Sequence, residues 1–265
     1  MTVRVLLRVL TVGYVFLLVA WPTTLVFRNA FAEGTSTMLD LLGDPAVTHA
    51  LRLTATIATV AVLVNLVFGV GISLLLVRFE FPGKRVLSAL IDVPLSVSPV
   101  VVGLALLLVY NGRDGWFGPA LENLGVQIVF ATPGMVMATV FVALPLVIRE
   151  VVPVLQEIGD DQEQAARSLG ASGLQTFRRI TLPGIRWAVV YGVVLSLARS
   201  LGEFGAVKVV SSNIAEDTQT ATLLVEAKYQ NFEQASAYAV AAVLALSAMA
   251  CLVIVSILRP KEQNS

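Results

Sequence analysis

Arg199 and Glu203 stand four residues apart in a stretch that is otherwise apolar, Leu197-Ala198-Arg199-Ser200-Leu201-Gly202-Glu203-Phe204-Gly205. On one helix that spacing puts both on one face, where guanidinium and carboxylate can pair. About twelve residues into its span, Arg199 falls near the bilayer midplane at 1.5 Å per residue. An arginine at a span centre costs roughly 2.5–3.5 kcal/mol on insertion scales, so both charges are expected to face protein or water. Two chemistries fit: an ion pair that locks helix packing, with Gly202 and Gly205 allowing close approach, or a cation beside a pathway for an anion. A second polar run, Asp92-Val93-Pro94-Leu95-Ser96-Val97-Ser98-Pro99, carries two prolines. Each removes a backbone donor, which membranes tolerate where neighbouring protein or cavity water satisfies the freed carbonyls. A gating helix bent at Pro94 and Pro99 is expected, with Asp92 near the interface and Ser96 and Ser98 available as hydrogen-bonding glue between helices.

Other chemistries are thinly represented. His49, read as lying in a loop about five residues outside a span, and Cys251, deep in the last apolar stretch, are the single residues of their types. That excludes disulfide frameworks and multi-ligand His/Cys metal sites, and Cys251 reads as a small packing residue. A Ser/His enzyme within the membrane would need a histidine inside a span, no His-Glu-x-x-His run exists, and Asp92 has no second intramembrane aspartate to face. A Gly-rich phosphate loop with its lysine is also missing, so this chain supplies no ATPase. No catalytic residue and no metal ligand is assigned.

The elements that must position these residues are set by lipid. Of 265 residues 57% are hydrophobic and 14% charged, where soluble domains carry about a quarter charged. Eighteen basic residues balance eighteen acidic ones, so no global charge points to nucleic acid. A spanning helix needs roughly 20 mainly apolar residues. That predicts spans at about 6–27, 54–77, 86–110, 134–154, 187–207 and 238–258. The first follows Arg4 and Arg8 and precedes Ala30-Phe31-Ala32, as a signal peptide would, but its apolar run is too long and an uncleaved, peripheral span is expected. Counting Lys and Arg between spans gives twelve on one side: Arg4, Arg8, Arg78, Lys84, Arg85, Arg149, Arg167, Arg178, Arg179, Arg186, Arg259 and Lys261. The other side has five: Arg28, Arg52, Arg113, Lys208 and Lys228. The bias places both termini in the cytoplasm. Residues 1–45 read as an N-terminal helix with its external connection, 46–258 as the membrane core and 259–265 as a cytoplasmic tail.

Two connections exceed mere turns, one cytoplasmic at about 155–186 and one external at about 208–237. The cytoplasmic one is punctuated as a helix, with Asp161 as its cap, Gln164 as the capping-box partner and Gly170 as the left-handed residue past its end. A second helical piece bears Leu174, Phe177 and Ile180 on one stripe and is expected to stop at Ile180-Thr181-Leu182-Pro183-Gly184 before the fifth span. A helix of about eight residues is marginal alone and must be held by packing, either on the chain's own spans or on a partner. In the external connection, Ala221 to Tyr229 reads as a short amphipathic helix, lying on the membrane surface, on the chain's own loops or in a docking surface.

The cytoplasmic loop resembles the EAA loop of ATP-binding-cassette importer permeases: Glu-Ala-Ala, three residues, Gly, nine residues, Ile, one residue, Leu-Pro. Ala165, Ala166, Gly170, Ile180, Leu182 and Pro183 match; Gln164 stands at the Glu position, with Glu163 just before it. The Asp92 to Val101 run, Arg199 to Ala206, Asp44-Pro45-Ala46, His49 to Thr54 and Val209 to Ile214 are similar to oxyanion importer permeases of the sulfate/thiosulfate and molybdate group, nearest its W-type subunit. The resemblance implies an all-α integral membrane protein of about six transmembrane helices, a type I (MetI-like) ABC transmembrane domain. It implies sulfate or thiosulfate import into a bacterial cytoplasm, with molybdate or tungstate as the alternative cargo. It also implies docking of two ATPase copies through Glu163, Gln164, Ala165, Ala166, Gly170, Ile180, Leu182 and Pro183 of this loop, a homologous T-type permease subunit and an external solute-binding protein. ATP and Mg would sit on the ATPase, and no cofactor on this chain. Arg199, Glu203, Asp92, Pro94, Ser96, Ser98 and Pro99 become pathway or gate candidates. An ion-coupled secondary transporter also needs broken helices and midplane polar groups, but has no need of the long capped cytoplasmic loop.

Overall fold

The computed structural model describes residues 2–258, and Arg259, Lys261 and the expected 259–265 tail lie outside the described residues. Helices account for the regular structure, and the described residues include no strand. In chain order they are α1 (Thr2–Val15), α2 (Trp21–Ala30), α3 (Thr35–Leu42), α4 (Pro45–Arg78), α5 (Lys84–Ser96), α6 (Pro99–Tyr110) and α7 (Gly118–Asn123). There follow α8 (Thr132–Ile158), α9 (Asp161–Ser168), α10 (Gly173–Thr176), α11 (Leu182–Leu201), α12 (Gly205–Val210), α13 (Ala221–Gln230) and α14 (Gln234–Leu258). Among the described residues five helical runs are long and apolar enough to cross a bilayer, and α5 and α6, bent by 114° where they join, are apolar enough together to make a broken span or a re-entrant loop.

Several boundaries differ from expectation for definable reasons. His49 lies inside α4, not in a loop, because Asp44 accepts the Ala46 N–H at 3.0 Å and Pro45 opens the helix. An Asx N-cap followed by proline at the first helical position is a strong start signal. The Ile180 to Gly184 run does not end its helix. A π turn, Phe177–Thr181, carries the chain from α10 into α11, with the Leu182 N–H bonded to the Phe177 carbonyl. The same device joins α1 to α2 through the π turn Phe16–Ala20. In both cases a proline, Pro22 or Pro183, stands two residues past the π turn. A proline ring clashes with the carbonyl four residues back, and the wider turn moves that carbonyl away while keeping the helix going. The apolar window of the α1–α2 span contains no buried residue.

Two compact units divide the chain. One comprises residues up to Leu53 with Ile214–Ser247. Its core joins Val47 and Ala50 of α4 to Ala221 and Leu224 of α13 and Val240 of α14. Ala30, Met38, Ala239 and Ala242 form a second cluster. The expected external helix therefore exists as α13 and packs on the chain's own helices.

The other unit runs from Thr54 to Asn213 and resumes at Ala248. Its centre is Val147 of α8, pressed between two glycines. A Cβ on Gly69 of α4 would come within 2.8 Å of the Val147 side chain, and one on Gly192 of α11 within 2.8 Å of its Cα. In lipid, where apolar burial drives little, such small residues are what let helices approach closely. Val70, Val151, Leu155, Ile185 and Ala188 complete the cluster, and Asn65 of α4 donates to Ser196 of α11 at 3.4 Å. Contacts advance in the same direction along α4 and α8, from Gly69 at Val147 to Arg78 at Leu155, so these helices run parallel. Two parallel spans need a crossing between them. The α5–α6 pair is the apolar run that supplies it and is a broken span.

Candidate functional site

The cytoplasmic-type loop is built from the end of α8 outward. Gly159, at φ +63°, turns the chain out of α8. The cap position of α9 is Asp160, one residue before the expected Asp161, and no side chain caps the backbone there. Instead Gln164 Nε2 donates to Asp160 Oδ2 at 2.8 Å. With Asp160 in the cap, Glu163 becomes the third helical residue and turns inward. It is 5% exposed, whereas Gln164 and Ala165 are exposed.

Glu163 meets Arg78, the last residue of α4. The guanidinium Nε lies 3.1 Å from Glu163 Oε2 and Nη2 lies 3.1 Å from Oε1, a two-pronged grip. Arg78 also donates from Nη1 to the Leu155 carbonyl at 3.0 Å and from Nη2 to the Gly159 carbonyl at 2.7 Å. These belong to the last turn and cap of α8, where carbonyls lack helical partners and cations are favoured. Thr181 Oγ1, at the end of the π turn before α11, donates to Glu163 Oε1 at 2.9 Å.

The far end of α9 closes as expected at Gly170, φ +88°. The Gly170 N–H bonds to Arg167 O and the Ala171 N–H to Ala166 O, each at 3.0 Å, a complete Schellman motif. Ser172 then starts α10 with a capping box to Gln175. That Ser-x-x-Gln signal is legible in the sequence as a second helix start. Ala166 and Ile180 are half-buried, while Gly170, Leu182 and Pro183 are exposed. Leu169, 89% exposed, and Leu174, 67% exposed, flank the Schellman turn.

The pathway and gate candidates within the spans gather at two helix breaks. The expected kinks at Pro94 and Pro99 resolve into one sharp break. Pro94 is buried inside α5, which continues past it, with the Val97 N–H still bonded to Val93 O at 3.0 Å. The chain leaves the helix at Val97 and Ser98, both extended, and Pro99 opens α6. Steric conflict with the proline ring forbids the helical conformation to Ser98. Ser96 and Ser98 are exposed. Asp92 Oδ1 accepts from Arg149 of α8 at 3.0 and 3.2 Å, a half-exposed pair.

The second break corrects the picture of one continuous helical face for Arg199 and Glu203. Helix α11 ends at Leu201 with Gly202 as its cap, and Arg199 lies in its last turn. Glu203, 4% exposed, sits in the joint before α12. Its Oε2 is 2.8 Å from Arg199 Nη1, and its Oε1 accepts the Ala206 N–H at 3.0 Å. One carboxylate thus ties the end of α11 to the start of α12. The Arg199 side chain is 38% exposed.

The two breaks are packed on each other. A Cβ on Gly205 would come within 3.1 Å of Pro99, and one on Gly103 of α6 within 2.7 Å of Val209 and 2.8 Å of the Ala206 carbonyl. Phe130, at φ +62°, donates its N–H to Val210 O at 2.7 Å and fixes the exit of α12.

Similarity to known proteins agrees with this architecture. Residues 65–261 match the profile of the binding-protein-dependent transport system inner membrane component. The sulfate transport system permease protein CysW of Synechococcus elongatus is 46% identical over 94% of this chain and 86% of its own length. A probable sulfate transport system permease protein cysT of Anthoceros angustus is 33% identical over 96% and 88%. The crystal structure of a bacterial ABC transporter that imports the acidic polysaccharide alginate superposes with a TM-score of 0.77 at 17% identity, over 97% of this chain and 93% of its counterpart. The all-helical fold is that of type I ABC membrane domains, and the chain belongs to the binding-protein-dependent transport system inner membrane components, a multi-pass permease subunit and not an enzyme.

Proposed function

We propose that this chain is one permease subunit of an ATP-driven importer of sulfate or thiosulfate. The observation that carries the reading is the 46% identity, over almost the whole chain, to a permease named for sulfate transport. The similarity to cysT supports a pair of unlike permease subunits, and the family description supports an external binding protein. Two copies of a partner ATPase, holding ATP and Mg, act from the cytoplasm, where both termini of this chain lie. Residues 46–258 form the permease core, with 1–45 as an added N-terminal element. The membrane is the bacterial cytoplasmic membrane.

In this mechanism α9 docks in the ATPase through Gln164, Ala165, Ala166 and Gly170, with Ile180, Leu182 and Pro183 shaping the connection to α11. ATP-driven closure of the ATPase pair shifts α9, and the movement passes into α8 and α11. Paired breaks are suited to a gate, because residues in a joint absorb backbone rotation without unzipping a helix. The joint at Val97 to Pro99 and the joint at Gly202 to Phe204 therefore turn together, with Asp92, Pro94, Ser96, Arg199 and Glu203 around them. Arg199, the half-exposed cation at the second joint, lines the anion's route.

The test is uptake of labelled sulfate by a strain lacking its own permease, complemented with this chain and its partner subunits, with molybdate and phosphate as controls. Restored uptake of sulfate, competed by thiosulfate, is expected. Restored molybdate uptake without sulfate uptake would overturn the cargo assignment.

A further inference from the structure

The Arg78 node has a role that the EAA-loop resemblance does not describe, since that pattern does not reach Arg78 and places Glu163 among the ATPase-docking residues. One guanidinium touches the end of α4, to which it belongs, the last turn and cap of α8 through Leu155 and Gly159, and the first turn of α9 through Glu163. Thr181 extends the contact to the start of α11. Side-chain exposure is 12% for Arg78 and 7% for Glu163, so little water competes for these bonds. The chemistry suits the place. A cation is favoured at the α8 C-terminus and an anion at the α9 N-terminus, and the short α9 has few internal bonds to hold its angle. Apart from Glu163, α9 is exposed or half-buried along its length.

We propose that Arg78 is the positioning residue of the coupling helix: through Glu163 it fixes the angle of α9 against the ends of α4, α8 and α11, so that a shift of α9 moves three spans as one. This rests on the permease reading. Without the grip, α9 would follow the ATPase while the spans lagged, and ATP would be hydrolysed without transport.

The experiment uses the complete complex, with both permease subunits, the ATPase and the binding protein, in proteoliposomes. Arg78→Lys keeps the charge but cannot hold the Glu163 carboxylate and both α8 carbonyls together. Thr181→Val removes only the tie to α11. Both variants are expected to assemble with the ATPase, to hydrolyse ATP, and to import less anion per ATP. For Arg78→Lys the loss should be about tenfold, within the usual range of coupling between sites, and for Thr181→Val it should be smaller. Hydrogen exchange over 161–169 should accelerate in Arg78→Lys while the buried middle of α8 is unchanged. An Arg78→Lys complex with the wild-type anion-to-ATP ratio would overturn the proposal, as would a reduced yield of complex with that ratio intact. If the wild-type complex imports no sulfate, the cargo assignment fails, and the exchange measurement still decides the role of Arg78.

Discussion

At the scale of single residues, the Arg199–Glu203 pair separates two uses of a charge. Glu203 is buried and bonded to the α12 backbone, so removing Arg199 alone takes a guanidinium away from a buried carboxylate. The cost should fall below the roughly 3–5 kcal/mol typical of breaking a fully buried pair, because solvent reaches the guanidinium and screens it. Arg199→Gln is therefore expected to lower the thermal midpoint and yield of the complex in detergent. Arg199→Gln with Glu203→Gln removes both charges while glutamine can still accept the Ala206 N–H. Yield should recover in the double variant. Uptake should stay low if Arg199 lines the anion's route, and full recovery of uptake would reduce the pair to a joint lock. The sequence spacing did announce the pair, but the same-face argument assumed a helix that Gly202 ends. Arg78 was legible only as one of twelve charges expected on the cytoplasmic side. Its partners lie 77 to 85 residues away, and no local pattern links them.

Elements are positioned here by close approach more than by apolar area. The contrast between Gly71 on α4 and Gly192 on α11 makes this measurable. Nothing lies within 4 Å of a Cβ on Gly71, whereas Gly69 and, on α11, Gly192 abut Val147. Gly192→Ala must push α11 away from the α8 backbone, and overpacking of that kind costs about 1–3 kcal/mol. Gly71→Ala should leave the thermal midpoint unchanged or slightly raised, since alanine is the better helix former. Equal midpoints for the two variants would contradict the packing described. Spans were readable because lipid imposes length and apolarity on them. Their ends were less so: Asp44-Pro45 starts α4 ahead of His49, and Pro183 behaves as a helix residue because a π turn precedes it. Which proline breaks the third span was not decidable locally. Pro94 and Pro99 have the same intrinsic effect, and the break falls where Gly205 comes against Pro99.

For the whole molecule, the parallel run of α4 and α8 requires an odd number of crossings between them before any charge is counted. Helix α8, at 27 residues, is roughly 40 Å long, enough to cross the hydrocarbon. Its C-terminal end shares the Arg78 node with the end of α4 and the start of α11, so those three ends lie on one side. If the α5–α6 pair merely dipped in and returned, α8 would begin on the side where it must end. Charge bias agrees with the crossing. With six spans the Lys and Arg outside them divide twelve to five, and a re-entrant α5–α6 would move Arg149, Arg167, Arg178, Arg179 and Arg186 to the opposite face from Arg78, Lys84 and Arg85. That would erase the asymmetry which normally orients such proteins, and it would separate Arg78 from Glu163. Single cysteines introduced at Asp114, in the α6–α8 connection, and at Arg167 on α9, in a Cys251→Ser background, test the arrangement. A membrane-impermeant maleimide applied to intact cells should label position 114 and leave 167 unlabelled until the membrane is opened. Labelling of both from outside would break the topology, and labelling of 167 alone would invert it and take α9 away from any cytoplasmic ATPase.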